Sequence, residues 1–221
     1  QGTALKPQGD PIENLNRSRE MTEPQQRSQL DLLARLNRVH LEQHAAESEL
    51  AARIESFELA YRMQMAAPEA LDLSKESAET QKLYGLDNPK CTHFSKQCLI
   101  ARRMVERGVR FVQIYSGGME NERSWDGHAN IGANHTGFAQ ETDQPIAALL
   151  TDLAERGMLD ETLVIWGGEF GRTSMNEARG GSKYLGRDHH PHCFTIWMSG
   201  GGIKRGFNLG STDELGYNIT E

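Results

Sequence analysis

Helical and strand-like patterns alternate along the second half of the chain, and this alternation constrains the fold more than any other feature. A helical apolar period over residues 92–107 is followed by the apolar run 110–115. A second helical period over 138–153 precedes two more apolar runs, 162–166 and 193–198. Nearly continuous apolar strands are typical of a sheet that helices cover on both faces. The sequence therefore predicts the α/β class.

The first half of the chain has a different pattern. Residues 1–21 lack periodicity and are predicted to form an extended arm. Apolar residues at spacings of three and four run through 23–66, as one helix or as two joined within 44–49. The opposite face is charged, which is typical of a solvated helix surface. We expect a helical region over 22–90 and the α/β part over 91–221.

Composition excludes several classes of function. Acidic residues outnumber basic ones by 31 to 24, so we expect no nucleic-acid partner held through its phosphates. The longest apolar stretches are far shorter than the ~20 residues that cross a bilayer, so we expect no membrane span. Cys91 and Cys98 could form a disulfide, but core or free thiols are favoured. The chain starts at Gln1 without an export signal and stops at Glu221 within apparently continuing sequence, which favours a fragment of a longer protein.

Three polar segments accompany the predicted strands. Residues 125–128 (WDGH) follow the first strand and 169–173 (EFGRT) follow the second, whereas 186–192 (GRDHHPH) precede the third. Ligands of open α/β sheets bind beyond the carboxyl ends of strands. The third segment joins the other two only if its strand runs antiparallel or its loop folds back across the sheet. Clustered imidazoles and carboxylates are suitable ligands for a divalent cation, which can polarise a phosphoryl or sulfuryl oxygen.

Each segment also has an interpretation without chemistry. An Asp-x-His pair occurs by chance in many polar loops. Glu169 could simply form a salt bridge with Arg172 that closes its loop, and 188–192 could be an exposed turn or a helix cap at Asp188. No nucleophile elbow, P-loop or dinucleotide fingerprint occurs in the sequence. Cys98 lies among apolar residues of a predicted helix and is interpreted as a core residue.

The motifs SWDGH, TLVIWGGEFGRT and GRDHHPHCFTIWMSGGGIKRG resemble a sulfatase-like family of bacterial proteins of unknown function within the alkaline phosphatase and sulfatase superfamily. The resemblance runs from about residue 82 to 221, and it places 1–68 in a helical insertion. It implies an alkaline-phosphatase-like sheet, here incomplete because the strand that carries the nucleophile is missing. It also implies hydrolysis of phosphate or sulfate esters with Zn, Ca, Mg or Mn, and twin-arginine export to the periplasm or the medium.

Matched residue by residue, the resemblance places Asp126, His128, Glu169 and His189 at the metal site. In the hydrolase hypothesis Asp126, Glu169 and His189 hold the cation, and His128 is a further ligand or binds the leaving oxygen. Arg172 and Arg187 pair with a small anionic ester substrate. Phe170 stands where that superfamily usually has a histidine, which removes one ligand. Two functions stay open. One is a metal-dependent hydrolase whose nucleophile lies outside this chain, and the other is a catalytically silent protein that binds a partner or a polysaccharide through its helical arm. The missing strand also predicts an unpaired sheet edge or a homodimer that covers it.

Overall fold

The computed structural model describes residues 4–5, 12, 20–43, 48–117, 125–178 and 180–220. Within these ranges the chain is mixed α/β, with five α-helices and four short β-strands. It divides into two compact units, residues 1–72 and 73–221. The extended arm predicted for 1–21 falls almost entirely outside the described residues. Among the helices that are described, none combines the length and the apolar character needed to cross a bilayer.

The first unit contains two helices, α1 (Glu23–Gln43) and α2 (Ser48–Leu71). Two helices were one of the two predicted alternatives, and residues 44–47 of their connection lie outside the described residues. The Arg27 guanidinium joins the helices, because it lies 2.7 Å from Glu58 Oε1. The same guanidinium lies 2.8 Å from Asp31, one turn further along α1. An ionic contact of this kind, partly open to water, contributes little stability by itself.

The second unit packs three helices around one core. These are α3 (Ala78–Tyr84), α4 (Thr92–Glu106) and α5 (Ile131–Glu155). The buried core consists of Tyr84, Cys98, Leu99 and Ala148. All three cysteines are buried and free, as predicted. Burial raises the pKa of the Cys98 thiol to about 12, which is typical of an inert core cysteine.

A buried ionic network holds these helices together. Arg102 on α4 is only 1% exposed and lies 2.5 Å from Glu76, 2.8 Å from Glu106 and 2.9 Å from Asp152 on α5. Arg103 also pairs with Glu76. The Tyr84 hydroxyl donates to Asp152 Oδ2 at 3.0 Å. A buried guanidinium is tolerated only because carboxylates pair with it. Removal of one charged residue of this network would therefore leave its partners buried without a full counter-charge.

The four strands form two separate antiparallel pairs. Strand β1 (Val164–Trp166) pairs with β4 (Trp197–Ser199), and β2 (Gly171–Glu177) pairs with β3 (Gly186–His190). The third predicted apolar run therefore does turn antiparallel to the second. One helix-covered sheet was expected, but the described residues form two sheets of two strands each.

Two predictions of local structure are wrong. The apolar run 110–115 is not a strand, because within the described part of the chain no strand pairs with it. Its side chains Phe111 and Tyr115 are exposed. Residues 167–186 were interpreted as a Gly-rich loop, but most of them build the β2–β3 hairpin. Apolar alternation does not signal this hairpin, because polar cross-strand contacts and close backbone approaches hold it together.

Candidate metal centre

The β2–β3 hairpin positions two of the predicted site residues side by side. Arg172 on β2 lies directly opposite His189 on β3 in the antiparallel register. Residues opposite each other in such a pair project from the same face of the sheet. Both side chains reach one oxygen, Oδ1 of Asp126: Arg172 Nη2 at 2.7 Å and His189 Nε2 at 2.9 Å.

The segment that carries Asp126 and His128 lies against the start of β3. Ala129 forms an antiparallel bridge with Leu185, and the Arg187 amide donates to the carbonyl of Gly127 at 2.9 Å. Gly186 permits this approach, since a Cβ there would lie 2.1 Å from the His128 carbonyl carbon. The chain then enters α5, where the Asn130 side chain accepts a hydrogen bond from the Ala133 amide at 3.4 Å.

Asp126, His128 and His189 converge on one point. His128 Nε2 lies 2.9 Å from Asp126 Oδ1 and 3.1 Å from His189 Nε2. With the 2.9 Å contact between His189 and Asp126, three potential ligand atoms form a nearly equilateral triangle. Ligand atoms of a tetrahedral zinc site with bonds near 2.0–2.1 Å are about 3.3 Å apart. The triangle is only slightly tighter than a bound ion requires.

No arrangement of protons satisfies all three contacts of this triangle. An ionised carboxylate oxygen only accepts hydrogen bonds, and a neutral imidazole has one donor and one acceptor nitrogen. If both Nε2 atoms carry protons, two donors face each other at 3.1 Å. If His128 Nε2 carries none, its lone pair faces that of Asp126 Oδ1 at 2.9 Å. A cation among the three atoms removes the conflict, because it accepts every lone pair.

A second group of three shares His128. Its other ring nitrogen, Nδ1, lies 2.6 Å from Glu177 Oε2 and 3.8 Å from Asp188 Oδ1. The first distance is a short, charge-assisted hydrogen bond and the second is too long for one. Sequence reasoning missed Glu177, which is separated from His128 by 49 residues. Only the hairpin register, which pairs Glu177 with Gly186, could have indicated it.

The electrostatics of the site favour an ionised Asp126. Partial burial acts to raise the pKa of this carboxyl, but the hydrogen bonds from His189 and Arg172 outweigh it and hold the pKa below its ordinary value. Asp126 is therefore a carboxylate at neutral pH, as a metal ligand has to be.

The other predicted residues occupy different positions. Glu169 is exposed and belongs to neither group of potential ligands found among the described residues. Arg187 donates through Nη1 to the Thr173 carbonyl at 3.2 Å and so ties the two strands of the hairpin together. The Phe170 ring, which replaces the expected histidine, packs 4.4 Å from the ring of His189 and covers one side of the site.

Comparison with known proteins gives one match. A family model described as a protein of unknown function (DUF1501) matches residues 1–221. No curated protein matches the chain, and no solved structure does. The assignment to a sulfatase-like family of the alkaline phosphatase and sulfatase superfamily is therefore wrong, because the family that matches residues 1–221 carries no such description. The chain belongs to the DUF1501 family of proteins of unknown function.

Proposed function

We propose that this chain binds a divalent cation through Asp126, His128 and His189, and that this site hydrolyses phosphate or sulfate esters. The observation that carries the proposal is the triangle of ligand atoms separated by 2.9, 2.9 and 3.1 Å. Two imidazoles and one carboxylate favour Zn²⁺ or Mn²⁺ over Ca²⁺ and Mg²⁺, which prefer oxygen ligands.

The cationic neighbour of the triangle supports an anionic substrate. A bound divalent ion supplies Lewis-acid polarisation of an ester oxygen. The Arg172 guanidinium lies 2.7 Å from Asp126 Oδ1, so its remaining donors are within reach of an anion held at the same ion. The attacking group is a hydroxyl or a water from outside the three ligands, and the ligands themselves only hold the ion.

Metal binding tests the proposal first. The full chain is stripped with a chelator, titrated with Zn²⁺ and Mn²⁺ by calorimetry, and analysed for bound metal. We expect one ion per chain in the wild type and a strong loss of affinity in His189→Ala. His192→Ala is the matched control, because this exposed histidine is three residues away and lies outside both groups. Equal metal binding by both variants and the wild type would refute the site.

Turnover tests the second half of the proposal. Aryl phosphate and aryl sulfate are offered to the metal-loaded protein. We expect the wild type to hydrolyse at least one of these esters, and we expect His189→Ala to lose that activity. Glu169→Ala belongs in the same series, since the role of Glu169 as a ligand stays a prediction. Metal binding without turnover of either ester would reject the hydrolase and keep the cation site.

One observation favours the alternative of a silent binding protein. On α1 the side chains of Leu32, Leu36 and Val39 share one helix face and are 59%, 60% and 55% exposed. A contiguous apolar stripe in water is typical of a surface that contacts another molecule. This alternative predicts that the protein binds a partner or a polysaccharide but turns over neither ester.

A further inference from the structure

The His128 side chain is held at both ring nitrogens. It is 11% exposed, with Nε2 in the triangle and Nδ1 at 2.6 Å from Glu177 Oε2. An ionised carboxylate accepts but does not donate, so the proton of this bond belongs to His128 Nδ1. A neutral imidazole has a single N–H, so its Nε2 then carries the lone pair that metal ligation requires.

In the neutral imidazole without a bound ion, two carboxylates compete for this one proton. Asp126 Oδ1, 2.9 Å from Nε2, favours the tautomer with the proton on Nε2, which blocks ligation. Glu177, at 2.6 Å from Nδ1, favours the tautomer that leaves Nε2 free. The shorter bond of Glu177 favours the competent tautomer.

The fold keeps Glu177 at this place. Glu177 is the last residue of β2 and pairs with Gly186, and the backbone of His128 lies against that same glycine. Asp188 also approaches Nδ1, but at 3.8 Å, and its Oδ1 accepts the His189 amide at 2.8 Å. Of these two acidic residues, only Glu177 lies within hydrogen-bond distance of Nδ1.

We propose that Glu177 is a positioning residue for the cation site: through Nδ1 of His128 it fixes the tautomer and the ring orientation in which Nε2 can bind the ion. The inference rests on the proposed cation site, but it assigns a role to a residue outside the three ligands. Removal of a carboxylate or carbonyl that supports a ligating histidine lowers metal affinity by about 10–100-fold.

The test compares wild type, Glu177→Ala, Glu177→Gln and the control Asp188→Asn in the full chain. Zn²⁺ affinity is measured by competition with a chromophoric chelator, and Co²⁺ absorption reports the ligand set. The ¹⁵N shifts of His128 in the stripped protein report its tautomer. We expect Glu177→Ala to lose about 10–100-fold in Zn²⁺ affinity and to shift the His128 proton towards Nε2. Glu177→Gln, whose amide oxygen still accepts from Nδ1, recovers part of that loss.

The outcomes distinguish a failure of the proposed role of Glu177 from a failure of the proposed cation site. Asp188→Asn removes the same charge without that hydrogen bond, so it should bind Zn²⁺ within about threefold of wild type. Wild-type affinity in Glu177→Ala, or an equal loss in Asp188→Asn, would overturn the role of Glu177 and leave the cation site intact. No binding of Zn²⁺ or Co²⁺ by the wild type would overturn the proposed site and this inference together. Thermal unfolding of the stripped variants identifies any general loss of fold.

Discussion

Replacement of Gly186 by alanine is expected to separate His128 from Asp126 and His189, the other two proposed ligands. A Cβ at Gly186 would lie 2.1 Å from the His128 carbonyl carbon and 2.3 Å from the Gly127 carbonyl oxygen. Ordinary van der Waals contact begins near 3.4 Å. Both neighbours are backbone atoms, so neither can turn aside as a flexible side chain would. The segment 127–128 therefore has to move by roughly 1 Å away from β3.

The size of this displacement sets the expected losses. Overpacking of this kind costs about 1–3 kcal/mol, which lowers the unfolding midpoint of a chain of this length by roughly 2–12 °C. Metal–ligand distances vary by only about 0.2 Å, so a movement of roughly 1 Å removes His128 from the ligand set. We expect the Zn²⁺ affinity to fall by at least about 100-fold.

Calorimetric titration with Zn²⁺ and thermal unfolding with and without the metal provide the assay. Gly132→Ala is the matched control, because Gly132 lies in the first turn of α5 and nothing lies within 4 Å of the Cβ it would gain. Alanine is favoured over glycine in helices, so this control should lose neither stability nor metal affinity. Wild-type affinity and midpoint in Gly186→Ala would show that His128 is not held against β3, and the geometric argument for the site would fail.

The remaining predictions concern the helical core. Arg102→Ala should destabilise the chain by up to about 3–5 kcal/mol in urea unfolding, because it removes the buried cation that Glu76 and Asp152 share and leaves them only Arg103 and Arg156. Arg205→Ala, at a 91% exposed arginine, should change stability by less than about 0.5 kcal/mol. Burial acts to raise the pKa of Glu76, but Arg102 and Arg103 outweigh burial and hold this pKa below its ordinary value of 4.5. The ionised Glu76 therefore contributes its full stabilisation above pH 4.5, and this contribution is lost as the pH falls through the lowered pKa of the folded state. The stability difference between wild type and Glu76→Gln should shrink on acidification, and a difference independent of pH would contradict the linkage. Cys98, with a pKa of about 12, should resist iodoacetamide at pH ~8 in the native state and react after unfolding; rapid native labelling at this residue, read by mass spectrometry, would contradict its burial.

The helices could be predicted because the sequence signals of a helix, its apolar spacing and its end residues, lie within the helix or next to it. Apolar spacing indicated α1, α2 and α4, and Gly108 and Gly157, which follow helices, both have the positive φ expected of helix ends. The ionic network around Arg102 left no such signal. Its carboxylates come from three different segments, and nothing in the local pattern distinguishes a buried arginine on α4 from an exposed one.

The strands show why apolar character alone is not sufficient. The runs 110–115 and 162–166 each contain four apolar or aromatic residues, yet of the two only 162–166 contributes a strand, β1, because β4 pairs with it. A strand forms only where another strand pairs with its backbone N–H and C=O groups. The sequence of the strand itself does not identify that partner. The β2–β3 hairpin is the converse case, since it is polar and Gly-rich but its two strands pair with each other.

The two glutamates of this region show where the information about the site resides. Sequence reasoning selected Glu169 because it follows β1, where ligands of α/β sheets bind, and passed over Glu177. In the structure the chain continues beyond Glu169 into β2, and β3 brings it back, so that the far end of the hairpin meets residues 127–129. Glu177 thereby reaches His128, while Glu169 remains exposed. The register of the hairpin, together with the close approach of residues 127–129 that Gly186 permits, places Glu177 rather than Glu169 beside the histidine. Residue types led to the hypothesis of a cation site, but only strand pairing could show which carboxylates lie beside the histidines.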